Sequence, residues 1–160
     1  MKKMWIFMLC AVLMSGCAAE PTFETVGDGY LSQVIAQQKN ISISVDEYTE
    51  ILQSDSGTLY LCDGYEVAVQ VLPGGNLEAT VQTVSGFDRE VLTLLQTACG
   101  ELNRYECAWS AAGEDGQTVC SAVILDDGAY HYCVSVIADE SSAYRLRQDI
   151  RDLFDSIELN

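Results

Sequence analysis

Residues Tyr65–Leu72 alternate without a break: Tyr65, Val67, Val69 and Val71 fall on one side, Glu66, Ala68 and Gln70 on the other. A period of two residues belongs to an extended strand with one buried face. Asp63-Gly64 stands directly before this segment, and Thr58–Cys62 before that. The dipeptide suits a two-residue hairpin turn, whose central residues favour positive φ. Strand, tight turn and strand in this order restrict the chain to an antiparallel sheet in which one face must be covered.

The same signals recur downstream. Pro73-Gly74-Gly75-Asn76 turns the chain into Leu77–Val84, read as a further strand. Arg104–Ala111, Thr118–Leu125 and Ala129–Ala138 form a meander, turning at Gly113–Gly116 and at Asp127-Gly128. Between these regions the period changes. Val91, Leu92, Leu94, Leu95, Ala98 and Leu102 make a helical stripe over Asp88–Leu102, with Asp88 as N-cap and Gly100 loosening the last turn. A final helix is expected over Ser142–Ile157, where Leu146, Ile150, Leu153, Phe154 and Ile157 share a face. Upstream, Tyr30–Gln38 suits two turns of helix, Ile41–Val45 a half-buried strand and residues 46–56 a loop. The expected fold is α+β: an antiparallel sheet of about six strands covered on one face by two helices.

The first seventeen residues follow different rules. Lys2 and Lys3 precede an apolar run from Met4 to Met14, too short to span a bilayer but suited to a signal-peptide core. Leu13-Met14-Ser15-Gly16-Cys17 resembles the lipobox of bacterial lipoproteins, with Met14 where leucine is more usual. That resemblance implies removal of residues 1–16, lipidation of Cys17 with diacylglycerol and palmitate, and anchorage at the extracytoplasmic face of the cell membrane. The alternative is an ordinary cleaved secretory signal. Residues 17–29 then form a lipidated tether and residues 30–160 a single domain, the size one hydrophobic core supports.

Charge limits the partners. Beyond residue 16 lie all 24 acids but only six bases, Lys39, Arg89, Arg104, Arg145, Arg147 and Arg151, for a net charge of −18. Nucleic acid and anionic lipid headgroups, both densely negative, repel such a chain, so no nucleic-acid partner is expected.

The hairpins, the segment Asp88–Leu102, the meander ending Ile124-Leu-Asp-Asp-Gly-Ala-Tyr-His-Tyr132 and the closing helix Tyr144–Leu159 together resemble the PsbP-like fold over about residues 57–157. That fold is shared by photosystem-extrinsic PsbP proteins, bacterial DcrB-like lipoproteins and eukaryotic Ran-binding relatives. Pro21-Thr-Phe-Glu-Thr-Val26 is also similar to the start of lipoproteins from Gram-positive gut bacteria. The resemblance implies a small module for binding or assembly without catalysis, and it carries no catalytic residue across.

Turn positions assign the cysteines to faces. Cys62 opposes Tyr65 across the first turn. Pairing Asp126 with Ala129 places Ala122 opposite Cys133 and Cys120 opposite Ser135. Pairing Trp109 with Val119 places Cys107 opposite Ser121, on the core side with Cys62. Cys62–Cys107 is thus a disulfide candidate, with two buried thiols as the alternative. Cys120 and Cys133, a diagonal pair on the other face, are marginal for a bridge. Cys99, late on the expected helix, is the free-thiol candidate. With five cysteines after Cys17, at least one stays unpaired or bridges to another chain.

His131 is the sole histidine and the only side chain that titrates near neutrality without perturbation, so a Cys-His enzyme would require it with Cys120 or Cys133. No nucleophile elbow accompanies it, and the expectation is a surface strand histidine. Asp126-Asp127-Gly128 and Glu114-Asp115-Gly116 read as turns rather than calcium loops, and no metal site or cofactor is expected. Trp109, Tyr105, Tyr130 and Tyr132 fall on the expected core face. The opposite face carries Ala108, Cys120, Ala122, Ile124, Cys133 and Ile137 beside His131, apolar for a solvated surface. Either residues 30–55 fold over it or a partner from the envelope does. The function expected is a membrane-anchored, non-catalytic binding or assembly module. The alternatives are a cation- or solute-binding envelope protein and the Cys-His enzyme.

Overall fold

The computed structural model describes residues 37–47, 49–113 and 116–160. Cys17, the tether, most of the expected helix Tyr30–Gln38 and the tip Glu114-Asp115 lie outside them. Nine strands are described: β1 (Ile41–Ser42), β2 (Glu50–Ser54), β3 (Gly57–Leu61), β4 (Tyr65–Pro73), β5 (Leu95–Cys99), β6 (Leu102–Gly113), β7 (Gly116–Asp126), β8 (Tyr130–Asp139) and β9 (Glu158–Leu159). The helices are α1 (Leu77–Ser85), the single turn α2 (Glu140–Ala143) and α3 (Arg147–Asp155), with a 3₁₀ turn at Arg89–Val91.

Seven strands form one sheet in the order β2-β3-β4-β8-β7-β6-β5, with every neighbouring pair antiparallel. Two meanders, β2–β4 and β5–β8, join through the pairing of β4 with β8. The hairpin at Asp63-Gly64 and the meander of the three long strands stand where the alternation placed them. β1 pairs with β9, and Asn40 and Asn160 exchange backbone hydrogen bonds beside them, so residues 39–45 are sewn to the C-terminal end.

Two segments exchange the structures expected of them. Leu77–Val84 is helical, not extended. The Asn76 side chain accepts from the Ala79 N–H at 3.1 Å, and Gly86, at φ 76°, returns its N–H to the Gln82 carbonyl. Leu77, Val81 and Val84 then share one side, and all three pack in one cluster. Asp88–Leu102 is instead a 3₁₀ turn followed by β5. Asp88 makes no capping bond, and Gly100, at φ 64°, opens the two-residue turn that pairs Cys99 with Leu102. Residues 46–56, expected as a loop, contribute β2. The closing helix is divided into α2 and α3 and gives way to β9.

The helices also divide between the two faces rather than sharing one. Against one face, Leu153 and Phe154 of α3 pack on Val67, Val123, Leu125, Tyr132, Val134 and Val136. Burying side chains of this size contributes about 1.5–3 kcal/mol each. Ile41, Ile43 and Val45 join this same cluster, so the N-terminal residues cover the α3 side and not the face expected. Against the other face, Val81 of α1 packs on Ile124 and Cys133. The architecture is therefore α+β with a helix on either side of a seven-stranded sheet.

Candidate functional site

The face with His131 was expected to be open, and the structure closes it. The crossover from β4 to the far edge strand β5 lays α1 across the β8–β7 region. Thr80 and His131 are buried, at 3% and 1% exposure. The Thr80 hydroxyl lies 2.6 Å from His131 Nδ1, and Asp126 Oδ1 lies 3.6 Å from Nε2. We assign the ring proton to Nε2, facing the carboxylate, so that Nδ1 accepts from the hydroxyl. Nδ1 is thereby occupied by the Thr80 hydroxyl, and Nε2 faces the Asp126 carboxylate. His131 is an internal strut between helix and sheet, not a surface residue.

Three thiols share this layer. β6 pairs with β7 so that Cys107 opposes Ala122 and Trp109 opposes Cys120. That differs by one residue from the expected register and carries Cys107 to the other face. Cys62 packs in the α3 cluster while Cys107 lies on the α1 side. The expected Cys62–Cys107 bridge is excluded by this placement, and both are free thiols. The shift also moves Tyr105 and Trp109 to the α1 side, while Tyr130 and Tyr132 stay on the α3 side. At the next turn Asp126 opposes His131, a slip of two residues, which leaves Cys133 on its expected face, opposite Ile124.

Cys107, Cys120 and Cys133 are all buried. Burial pushes the Cys133 thiol up to about 12, with Cys107 adding to the effect. Its Sγ lies 3.8 Å from the backbone oxygen of His131, not from the ring. Burial also raises Cys107, and it raises Cys120 against a weaker opposing hydrogen bond from Thr118. Burial thus favours the protonated form of all three thiols, and none makes a hydrogen bond to the imidazole among the described contacts. Cys99 is exposed and free, on β5 rather than on a helix.

Of the expected partner surface, Cys120, Ala122, Ile124, His131 and Cys133 are therefore internal. Ala108 faces the α3 side opposite Ser121, and only Ile137, at 40% exposure, reaches solvent on the α1 side. Ile51 and Leu52, expected to help cover this face, are exposed on the edge strand β2.

The exposed chemistry lies elsewhere. Two adjoining open grooves, of about 270 and 310 Å³, flank α3. Arg104, Glu106, Arg147, Ile150, Arg151, Phe154 and Asp155 line the first; Tyr144, Arg145, Arg147, Gln148 and Arg151 line the second. In the sequence these arginines are spread over residues 104–151. The i, i+4 spacing of Arg147 and Arg151 was the available signal.

A second polar centre holds the hairpin before β8. Asp127 Oδ1 accepts from the Ala129 and Tyr130 N–H groups, and Oδ2 accepts from the Tyr132 hydroxyl at 2.9 Å. That hydroxyl in turn accepts from the Lys39 N–H at 3.1 Å, tying the N-terminal segment to the turn. Burial opposes ionisation of Asp127, but these donors and the Lys39 charge together hold its carboxyl below the usual value.

The chain matches no protein-family model and no curated protein in sequence. Its fold is similar to that of cyanobacterial PsbP (CyanoP) from Synechocystis sp. PCC 6803, with TM-score 0.55 and 10% identity over 82% of this chain and 98% of that one. It is similar as well to LpqN of Mycobacterium tuberculosis, described as involved in cell envelope biogenesis, with TM-score 0.53 and 11% identity over 80% and 87%. A Bacteroides thetaiotaomicron VPI-5482 structure has TM-score 0.52 and 8% identity over 75% of this chain, which spans 45% of that protein. The fold is PsbP-like.

Proposed function

We propose that this chain is a lipoprotein held at the extracytoplasmic face of the cell membrane through Cys17, where it acts as a non-catalytic binding or assembly module of the envelope. One observation carries the reading. Among the described residues, His131 and the nearby Cys120 and Cys133 are packed beneath α1, with the imidazole Nδ1 bonded to Thr80 and the Cys133 thiol pushed up to about 12. A nucleophilic cysteine needs the opposite environment, exposed and with a lowered pKa. The lipobox-like Leu13–Cys17 supports the anchor, and the likeness to LpqN, a protein of cell envelope biogenesis, supports the compartment. An unidentified envelope protein is the partner expected, and no nucleic acid.

Mass spectrometry of the protein from native membranes tests the anchor. A mature N-terminus at Cys17 carrying diacylglycerol is expected; an intact leader or an unmodified Cys17 overturns it. Alkylation followed by activity profiling with thiol-directed ester and peptide probes tests the rest. Covalent turnover dependent on His131 would replace the binding reading with the enzyme.

A further inference from the structure

Four of the six bases beyond residue 16, Arg104, Arg145, Arg147 and Arg151, line the grooves at α3. In the first groove Arg104 is paired from within. Arg104 Nε lies 2.7 Å from Glu106 and its Nη2 lies 3.9 Å from Asp155, while Nη1 donates to the Phe154 carbonyl at 3.3 Å. The second groove has no carboxylate among the described residues of its lining. Among the described residues the ion pairs involve only Arg104 and His131, which leaves Arg145, Arg147 and Arg151 without an acidic partner.

The neighbouring acids are turned to other tasks. Asp152 accepts from Gln148 at 2.8 Å, and Asp155 faces Arg104. Asp149 lies near enough to Tyr65 to help raise its hydroxyl, after burial and Cys62. Three exposed guanidinium groups within seven residues repel one another unless an anion joins them. In a chain with 24 acids, and on a helix that itself carries Asp149, Asp152 and Asp155, a groove lined by three arginines with no carboxylate among its described lining residues is the exception. Screening makes it a local property, since fields from exposed acids elsewhere fade within a Debye length of about 8 Å.

The guanidinium fork matches phosphate oxygens in pairs, which a lysine does not. Beside the arginines stands Tyr144, 86% exposed, an apolar ring with a polar tip of the kind found at membrane–water interfaces. We propose that the stripe Tyr144–Arg151 receives the phosphate groups of anionic phospholipids, orienting the domain on the membrane surface. This rests on the reading that Cys17 anchors the chain there.

The test uses the full chain reconstituted into vesicles of phosphatidylcholine, with or without phosphatidylglycerol. Phenylglyoxal modification is then followed at each arginine by mass spectrometry. Modification of Arg145, Arg147 and Arg151 is expected to fall about fivefold with phosphatidylglycerol and to recover in about 0.5 M salt, with exposed Arg89 unchanged throughout. Equal modification in both vesicles overturns the proposal. Protection in detergent solution by inorganic phosphate, or by polyglutamate, overturns it in favour of a soluble phosphate or an acidic protein. Anchorage is scored separately, by flotation of the wild type against Cys17→Ser on phosphatidylcholine vesicles. If anchorage fails, phosphatidylglycerol vesicles added to the detergent-free chain still decide the groove.

Discussion

The Thr80 hydroxyl and His131 Nδ1, 2.6 Å apart, join α1 to the central strand β8 at a depth where neither residue meets solvent. The contact spans 51 positions in sequence. It fixes where the crossover helix sits on the sheet, and it converts the only histidine from a candidate base into a structural partner. Replacing Thr80 by valine keeps the volume and removes the donor, leaving a buried ring nitrogen unpaired. A loss of about 1–3 kcal/mol is expected in urea denaturation, with Thr80→Ser close to wild type. A valine variant as stable as the parent would show that the hydrogen bond contributes nothing.

The thiols should separate by exposure. Cys99 is expected to react with iodoacetamide at neutral pH in the folded chain, while Cys107, Cys120 and Cys133 react only after unfolding. With its thiol pushed up to about 12, Cys133 has almost no thiolate at pH 7. Peptide mapping after timed alkylation, with Cys99→Ser as control, reads this directly. Rapid labelling of Cys133 in the folded state would contradict the closed layer beneath α1.

Two carboxylates should affect acid stability with opposite signs. Burial, and secondarily Asp139, raises the Glu66 carboxyl, so the fold favours its protonated form. Its stabilising contribution is full below the unfolded pKa and is lost as pH rises through the folded value. Glu66→Gln is therefore expected to be more stable than the parent at pH 7, an advantage that closes on acidification. Asp127 is lowered, so its contribution is present above the unfolded pKa and is lost as pH falls through the folded value. Asp127→Asn is expected to be less stable at pH 7 and to flatten the acid limb. Urea midpoints between about pH 7 and pH 3 check both signs.

Gly74 allows two turns to touch. Its N–H donates to the Ala129 carbonyl at 2.8 Å, and a Cβ there would lie 2.7 Å from the Ala129 carbonyl carbon. Gly74→Ala must push apart two backbones and is expected to cost about 1–3 kcal/mol. Gly75→Ala meets nothing within 4 Å, although its φ of 88° still disfavours a side chain. A larger loss at Gly74 than at Gly75 in thermal denaturation separates contact from conformation.

Where the chain was legible, one local rule decided the outcome. The alternation of Val67, Val69 and Val71 and the Asp63-Gly64 turn fixed a hairpin that the tertiary structure keeps. Where it misled, two rules competed. Thr80, Val81, Thr83 and Val84 favour strands by their branched side chains, yet Asn76 and Gly86 cap a helix, and packing on Ile124 and Cys133 settles the matter. The apolar residues Val91 to Leu102 fit a helical stripe, yet the Gly100-Glu101 turn lets β5 pair with β6 instead. The arginines at α3 were visible only as counts until the helix brought Arg145, Arg147 and Arg151 to one groove.

By itself the sequence determined the antiparallel sheet, its tight turns, the apolar side of the closing helix and the acidic surplus. Each is a property of neighbours within a few residues. Only the tertiary structure decided which helix covers which face and which thiols lie together. Side chains alternate every residue along a strand, so a one-residue difference in how β6 meets β7 sends Cys107 from the Cys62 side to the Cys133 side. The crossover then chose the cover for His131, because the path from β4 to the distant edge strand β5 carries α1 over that face and leaves α3 and the N-terminal residues to the other.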